Sequence, residues 1–214
     1  MRELRGILKN RRGIVGIEAA IVLIAFIIIA AALSYVVINM GFYTTQKTKE
    51  TMQAGLEESL SALQLDGVVT GKTDNDSEIK YIVFPVKLSA GKESLDLSKN
   101  STVVSVYLSG ITLLNIYQGA NSTTAPGLDS ILNDTSAFAG IYNQTGAMFA
   151  LYNDDEDKVL ESNEKAFLII NLGNYTLADY QTIKIEVRTA KGAALTVVRT
   201  APGGMPPSSY VDLG

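Results

Sequence analysis

The 214-residue chain contains no cysteine, no histidine and no tryptophan. Without cysteine there is no disulfide framework, no thiolate metal site and no thiol nucleophile. Without histidine the commonest general base and the commonest transition-metal ligand are missing, so an enzyme is not the expectation. Charge is absent locally as well. Residues 14 to 43 hold a single charged side chain, Glu18. Proline is scarce, with five residues, and the first of them is Pro85. Nothing in the first eighty residues therefore breaks a helix on that account.

What charge there is divides unevenly. Arg2, Arg5, Lys9, Arg11 and Arg12 stand against Glu3 in the first thirteen residues, a local balance of +4. The whole chain carries −4, so everything after Gly13 sums to −8. A short basic stub before an acidic body argues against nucleic acid as a partner, because phosphate binding needs basic patches on the folded domain.

The apolar run IVGIEAAIVLIAFIIIAAALSYVVINMGFY follows the stub. As a helix its thirty residues extend roughly 45 Å, against roughly 30 Å for a bilayer core. The basic stub would stay on the cytoplasmic side and the remainder outside. Three readings of this end compete. In the first, a short leader is removed before the run, after Gly13. In the second, the run is a permanent single-pass anchor. In the third it is a secretory signal, cut near the small residues Ala30, Ala31 and Ala32. Against the third, Val36, Val37, Ile38, Met40 and Phe42 continue the apolar character past that point. Glu18 also counts, because a carboxylate within an apolar helix is costly unless it has a partner and a role.

The helix is expected to continue. Met52, Leu56, Leu60 and Leu63 recur at spacings of four, four and three, with Lys49, Glu50, Glu57 and Glu58 between them. That is an amphipathic stripe. The spacing predicts one helix from Ile14 to about Leu63, with Gly41 and Gly55 as candidate bends. Such a helix suits bundling with copies of itself.

From about Gly71 the period changes. Runs at 78–88, 102–108, 111–116, 148–152, 166–172, 182–188 and 194–199 are rich in Val, Ile, Tyr and Phe. Gly, Asn, Asp, Ser and Pro bound them, as they bound strands. Within the sixth, TIKIEV alternates as a strand with one wet face does. Seven such strands predict an antiparallel β-sandwich, immunoglobulin-like in type. The whole is α+β, with segments 1–13, 14–65 and 66–214.

Two further features sit in the β region. Asn-x-Ser/Thr acceptors occur at Asn75, Asn100, Asn121, Asn133, Asn143 and Asn174, where twelve Asn in all would yield about two by chance. N-glycosylation is the expectation, which places the domain outside the membrane. The acidic stretch from Asn153 to Glu164 has oxygen ligands at the first, third, fifth, ninth and twelfth positions. These are Asn153, Asp155, Asp157, Glu161 and Glu164, with the Val159 carbonyl at the seventh, the spacing of an EF-hand calcium loop. The sixth position, where that loop has glycine, is Lys158. Calcium is the expected ion and magnesium the alternative; a solvated acidic turn is the plain reading.

Arg11-Arg12-Gly13 followed by Ile14, Val15, Gly16, Ile17 and Glu18 resembles the class III leader of type IV pilin-like proteins. More of the chain resembles archaeal flagellins (archaellins): IVGIEAAIVLIAF, the acidic loop running into ESNEKAFLIINLG, and the ending LTVVRTAPGGMPPSSYVDLG. The resemblance implies cleavage after Gly13 by a prepilin-type peptidase in the membrane, leaving Ile14 as the new amino terminus. It implies that Gly16 and Glu18 serve assembly, Glu18 facing the free amine of a neighbouring subunit. It further implies an extracellular homopolymer with a helical bundle inside, rotated by separate motor and platform proteins. Two alternatives share parts of this pattern: an adhesive archaeal type IV pilin, and a membrane-anchored calcium-binding β-domain.

Overall fold

Helix α1 (Arg11–Ser59) runs for 49 residues, roughly 73 Å, with no proline to interrupt it. The structure, a computed structural model, describes residues 11–60, 62–90, 94–134 and 137–214, without the side chains of 11–15. Residues 1 to 10 of the expected leader lie outside the described residues. The chain divides into two units, residues 1–55 and 56–214, and each has its own energetics.

In the first unit α1 passes through Gly41 and Gly55 without a break in the helix. Many of its residues are β-branched, a type that lowers helix propensity in water. In an apolar setting the helix wins regardless, because it satisfies every backbone N–H and C=O within the segment. Thr44, Thr45, Thr48 and Thr51 behave accordingly. Each hydroxyl donates to the carbonyl four residues earlier, at 2.8 to 2.9 Å, leaving its methyl group outermost.

Among the described residues the second unit is built of thirteen short strands and one helical turn. In chain order these are β1 (Leu63–Leu65), β2 (Thr70–Thr73), β3 (Ile79–Leu88), β4 (Ser94–Asp96), β5 (Thr102–Leu108), β6 (Ile111–Leu113) and β7 (Tyr117–Ser122). After α2 (Leu128–Asn133) come β8 (Gly146–Tyr152), β9 (Val159–Glu161), β10 (Lys165–Asn171), β11 (Thr182–Thr189), β12 (Leu195–Thr200) and β13 (Tyr210–Asp212). One sheet has the order β13-β2-β3-β10-β8-β7, with β1 also on β3. A second has the order β12-β11-β5-β6, and β4 pairs with β9 alone.

The two main sheets share one core. Ile82, Phe84, Val86, Phe149, Leu168 and Ile170 of the first belong to the same buried cluster as Val104, Val106, Ile183, Ile185 and Val187 of the second. In β11 the inward Ile183, Ile185 and Val187 are buried while Thr182 and Lys184 between and before them are exposed, the alternation a half-buried strand requires. The first sheet is covered on its other face too. Met148, Ala150 and Ile169 pack there with Ile131, Phe138 and Ile141, from α2 and the turns after it. Asn171 is wholly buried at this junction, donating to the Ile141 carbonyl at 2.7 Å and accepting from the Gly173 N–H at 2.8 Å. Burial on both faces explains the near-continuous apolar reading of β8 and β10.

Two expectations need correction. The amphipathic stripe does not carry the helix to Leu63: α1 ends at Ser59, and Leu63 is buried in β1, paired with Leu88. The stripe's last member is apolar because it faces the β core. Among the described residues the strands number thirteen rather than about seven. The long apolar helix followed by antiparallel-rich sheets is the expected class, and within it β7 and β8 run parallel. A parallel pair needs a long crossover, and residues 123 to 145, with α2 among them, supply it.

Candidate functional site

Every residue from Gly16 to Leu60 is exposed. Between Ile17 and Tyr43 that includes seventeen large apolar side chains. At about 1.5–3 kcal/mol for each on burial, covering this helix is favourable by tens of kcal/mol. That exceeds the roughly 5–15 kcal/mol net stability of a whole domain. Water is therefore not the environment in which α1 functions. Its most apolar eighteen-residue window has a mean hydropathy of 3.1, enough by length and composition to cross a membrane. Apolar residues lie all round it, so no single stripe would suffice as a contact face.

Glu18 is exposed on this helix and borders an apolar hollow formed with Ala19, Val22, Leu23 and Phe26. Gly16 has open space where a Cβ would lie. Arg11, Arg12, Gly13 and Ile14 are within α1 by backbone, and their side chains are not described.

The acidic loop leaves β8 after Tyr152 and returns through β9 into β10. Its backbone is unusual. Asn153, Glu156 and Lys158 have φ of 62°, 74° and 64°, left-handed values that non-glycine residues seldom adopt. Lys158 occupies the position where a calcium loop has glycine, and it takes the backbone conformation that glycine there would supply.

The carboxylates of Asp154, Asp155 and Asp157 can each offer an oxygen within 4.8 Å of the others. Two of them, Asp155 and Asp157, are residues the spacing picks out. Asp154 is not: an odd-position register passes over it. Its Oδ2 accepts a hydrogen bond from the Ser122 hydroxyl on β7, while its Oδ1 is buried with no hydrogen-bond partner among the described residues. A buried, unpaired carboxylate oxygen is unfavourable unless something positive reaches it.

The other residues of the expected ligand set are placed differently. Asn153 donates to the Asn163 carbonyl at 3.3 Å. Val159 and Glu161 lie in β9, opposite Asp96 and Ser94 of β4, and the Val159 N–H donates to Asp157 Oδ1 at 2.7 Å. Glu164 turns back to accept from the Glu161 N–H at 2.8 Å. Burial raises its pKa, and repulsion from Asp154, Glu161 and Asp155 adds to the rise, the backbone bond opposing both. The loop is thus an arrangement of hard oxygen donors carrying uncompensated negative charge, which fits a divalent cation. A cue for Asp154 existed in the sequence: it stands in an unbroken acidic run from 154 to 157.

Of the six glycan acceptors, Asn75, Asn100, Asn133, Asn143 and Asn174 are exposed. Asn121 is not: within β7 its Nδ2 donates to the Ala137 carbonyl. Thr135, which completes the Asn133 acceptor, lies outside the described residues.

Comparison with known proteins agrees with this layout. A model of archaeal-type flagellin matches residues 13–199. The chain is 45% identical to "Probable flagellin 1" of Aeropyrum pernix, over 97% of this chain and 100% of that protein. It is 31% identical to "Probable flagellin 2" of Archaeoglobus fulgidus, over 94% and 93% of the two. Among solved structures, the archaeal flagellum of Methanospirillum hungatei strain JF1 superposes with a TM-score of 0.57 at 25% identity, covering 92% of this chain and 99% of that one.

A bare apolar helix running into a β domain defines a class of proteins whose amino-terminal segment functions only when lipid or other helices cover it. Within that class, the chain belongs to the archaeal-type flagellin family.

Proposed function

We propose that this protein is the repeating structural subunit of an extracellular archaeal swimming filament, polymerised through α1. The observation that carries this reading is the exposure of α1 from Gly16 to Leu60, which only lipid or identical helices can relieve. A precursor held in the membrane by the same helix passes its apolar surface from lipid to neighbouring copies, so that little of it meets water. The family relationship supports assembly with copies of itself.

Four finer statements belong to this proposal. A prepilin-type peptidase removes the leader after Gly13. Exposed acceptor asparagines carry N-glycans. The acidic loop holds one divalent cation, calcium rather than magnesium, with Asp154, Asp155 and Asp157 as its central ligands. Motor and platform proteins drive the finished filament.

The first test is peptide mass spectrometry of filaments sheared from cells. The amino-terminal peptide is expected to begin at Ile14. One beginning at Met1 would mean an anchored β domain, and the account of α1 would fall. The same digest maps glycans, and the Asn121 peptide is expected unmodified, because its amide nitrogen is already committed.

Cation binding is checked separately by melting. At about a hundredfold excess over its dissociation constant, calcium contributes about 2.7 kcal/mol. For a domain of this size that raises the melting temperature by roughly 5–10 °C relative to chelated protein. Asp154→Asn is expected to lose most of that increment. An unchanged melting curve with and without chelator would leave the loop as a plain acidic turn.

A further inference from the structure

A polar cleft of about 340 Å³ opens between β2, the start of β3, α2 and the carboxy-terminal segment. Lys72 of β2 reaches Asp129 of α2, and its ammonium stands 5.7 Å from the centre of the Tyr210 ring. Lys80 of β3 stands 3.6 Å from Asp74. Two ammonium groups and two carboxylates cancel, so the cleft favours neither an anion nor a cation. What it offers is a set of fixed donors and acceptors beside two phenol rings, those of Tyr81 and Tyr210.

That combination complements a neutral polyhydroxyl ring. Sugar hydroxyls donate to carboxylates and accept from ammonium groups, and the C–H face of the ring lies against an aromatic side chain. The walls are held in place. The Thr73 hydroxyl donates to the Pro206 carbonyl at 2.7 Å and accepts from the Ser209 N–H at 2.9 Å. β13 completes the tether by pairing with β2, Tyr210 opposite Lys72. Burial first, and then the hydrogen bond to Asp129, push the Tyr210 phenol up to about 12.

The rim holds a glycan acceptor. Ser208, which lines the cleft, donates from its hydroxyl to Asn75 Oδ1 at 2.9 Å. This orients the exposed Asn75 side chain at the cleft edge. Its Nδ2, the atom that would carry the sugar, makes no hydrogen bond among the described residues. A glycan attached there begins beside Ser208, a residue of the cleft wall.

We infer that this cleft is a saccharide-binding site, occupied by the first sugar residues of a glycan on Asn75. The inference rests on the N-glycosylation reading for that occupant, while the cleft's affinity for sugars stands on the side chains alone. A sugar borne by another molecule would offer the same chemistry, so the test has two arms.

In the first, intact filaments are treated with periodate, and oxidation of the sugars on Asn75 is compared with that on Asn100. Sugars seated in the cleft are expected to oxidise at least fivefold more slowly at Asn75, with the difference lost in Tyr210→Ala and partly kept in Tyr210→Phe. Tyr210 is half exposed, so its replacement leaves the core intact. In the second arm, Asn75→Gln filaments are titrated with glucose and with N-acetylglucosamine, followed by saturation-transfer NMR. Signal at millimolar sugar that disappears in the Asn75→Gln, Tyr210→Ala double variant supports the site. Should Asn75 prove unmodified, a positive second arm assigns the cleft to a sugar from another molecule. Equal oxidation at Asn75 and Asn100, together with no transfer to either sugar, overturns the inference whether or not glycans are found elsewhere.

Discussion

Replacing Glu18 by alanine is expected to leave the chain processed but to reduce filaments in the sheared surface fraction by about a hundredfold or more. Glu18 is the only charge between Ile14 and Tyr43 and borders a hollow otherwise made of Ala19, Val22, Leu23 and Phe26. Once copies of α1 cover one another, that carboxylate leaves water, at a cost of several kcal/mol unless it is paired. If the leader is removed after Gly13 as proposed, the partner is the new amine on Ile14 of a neighbour. Removing one member of a buried pair leaves the other charge uncompensated, a loss of about 3–5 kcal/mol. At each 1.4 kcal/mol per tenfold, the lower figure alone weakens the contact more than a hundredfold.

Gly13→Val separates processing from pairing. It is expected to leave the basic stub attached and the protein in the membrane fraction with Met1 as its terminus. Glu18→Ala chains instead begin at Ile14 and fail one step later. Quantitative mass spectrometry of membrane and sheared fractions reads both outcomes. Wild-type filament yield from Glu18→Ala would remove the pairing argument even if the apolar helix still drives assembly.

The residues differ in how far they disclose these arrangements on their own. Helix α1 and the long strands β3, β5, β10 and β11 are legible because their apolar periods are strong: all-round in the first, alternating in TIKIEV, near-continuous in KAFLIIN. The strands TGKT, SLD, YQGANS, VLE and YVD are not. Each is short and polar, and it exists because a distant partner fills its ladder, as when β13 pairs with β2. Propensity holds no trace of such a partner. The second layer over the first sheet was hidden for a similar reason, since Ile131, Phe138 and Ile141 are dispersed in a Gly- and Ser-containing stretch with no regular period.

The acidic loop shows a different limit. Spacing drew attention to Asp155 and Asp157, but it carries no information about sheet pairing. Pairing of β9 with β4 fixes Val159 and Glu161, and the crossover strand β7 brings Ser122 to Asp154. A local pattern could not register either constraint, because both come from elsewhere in the chain.

Phe149→Ala is expected to lower the melting temperature of the β domain by roughly 6 to 20 °C while leaving leader processing unaltered. Phe149 has no exposed surface, sits in β8 between β10 and β7, and meets Tyr117 edge-on with ring centres 5.8 Å apart. Deleting a buried phenyl group typically costs about 3–5 kcal/mol through lost transfer energy and the cavity left behind. At about 2–4 °C per kcal/mol for a domain of this length, the stated range follows. Val198→Ala is the control: half exposed on β12, it should shift melting by no more than about 1–2 °C. Calorimetry of intact filaments reads both. The helix interface and the β core derive their stability from different surfaces, one covered by neighbours and one by the chain's own sheets. A β-domain transition that moves with Phe149→Ala, with filament yield below that transition kept, is the outcome this division requires. A yield loss as deep as that of Glu18→Ala would instead mean that the β core and the assembly contacts are energetically coupled.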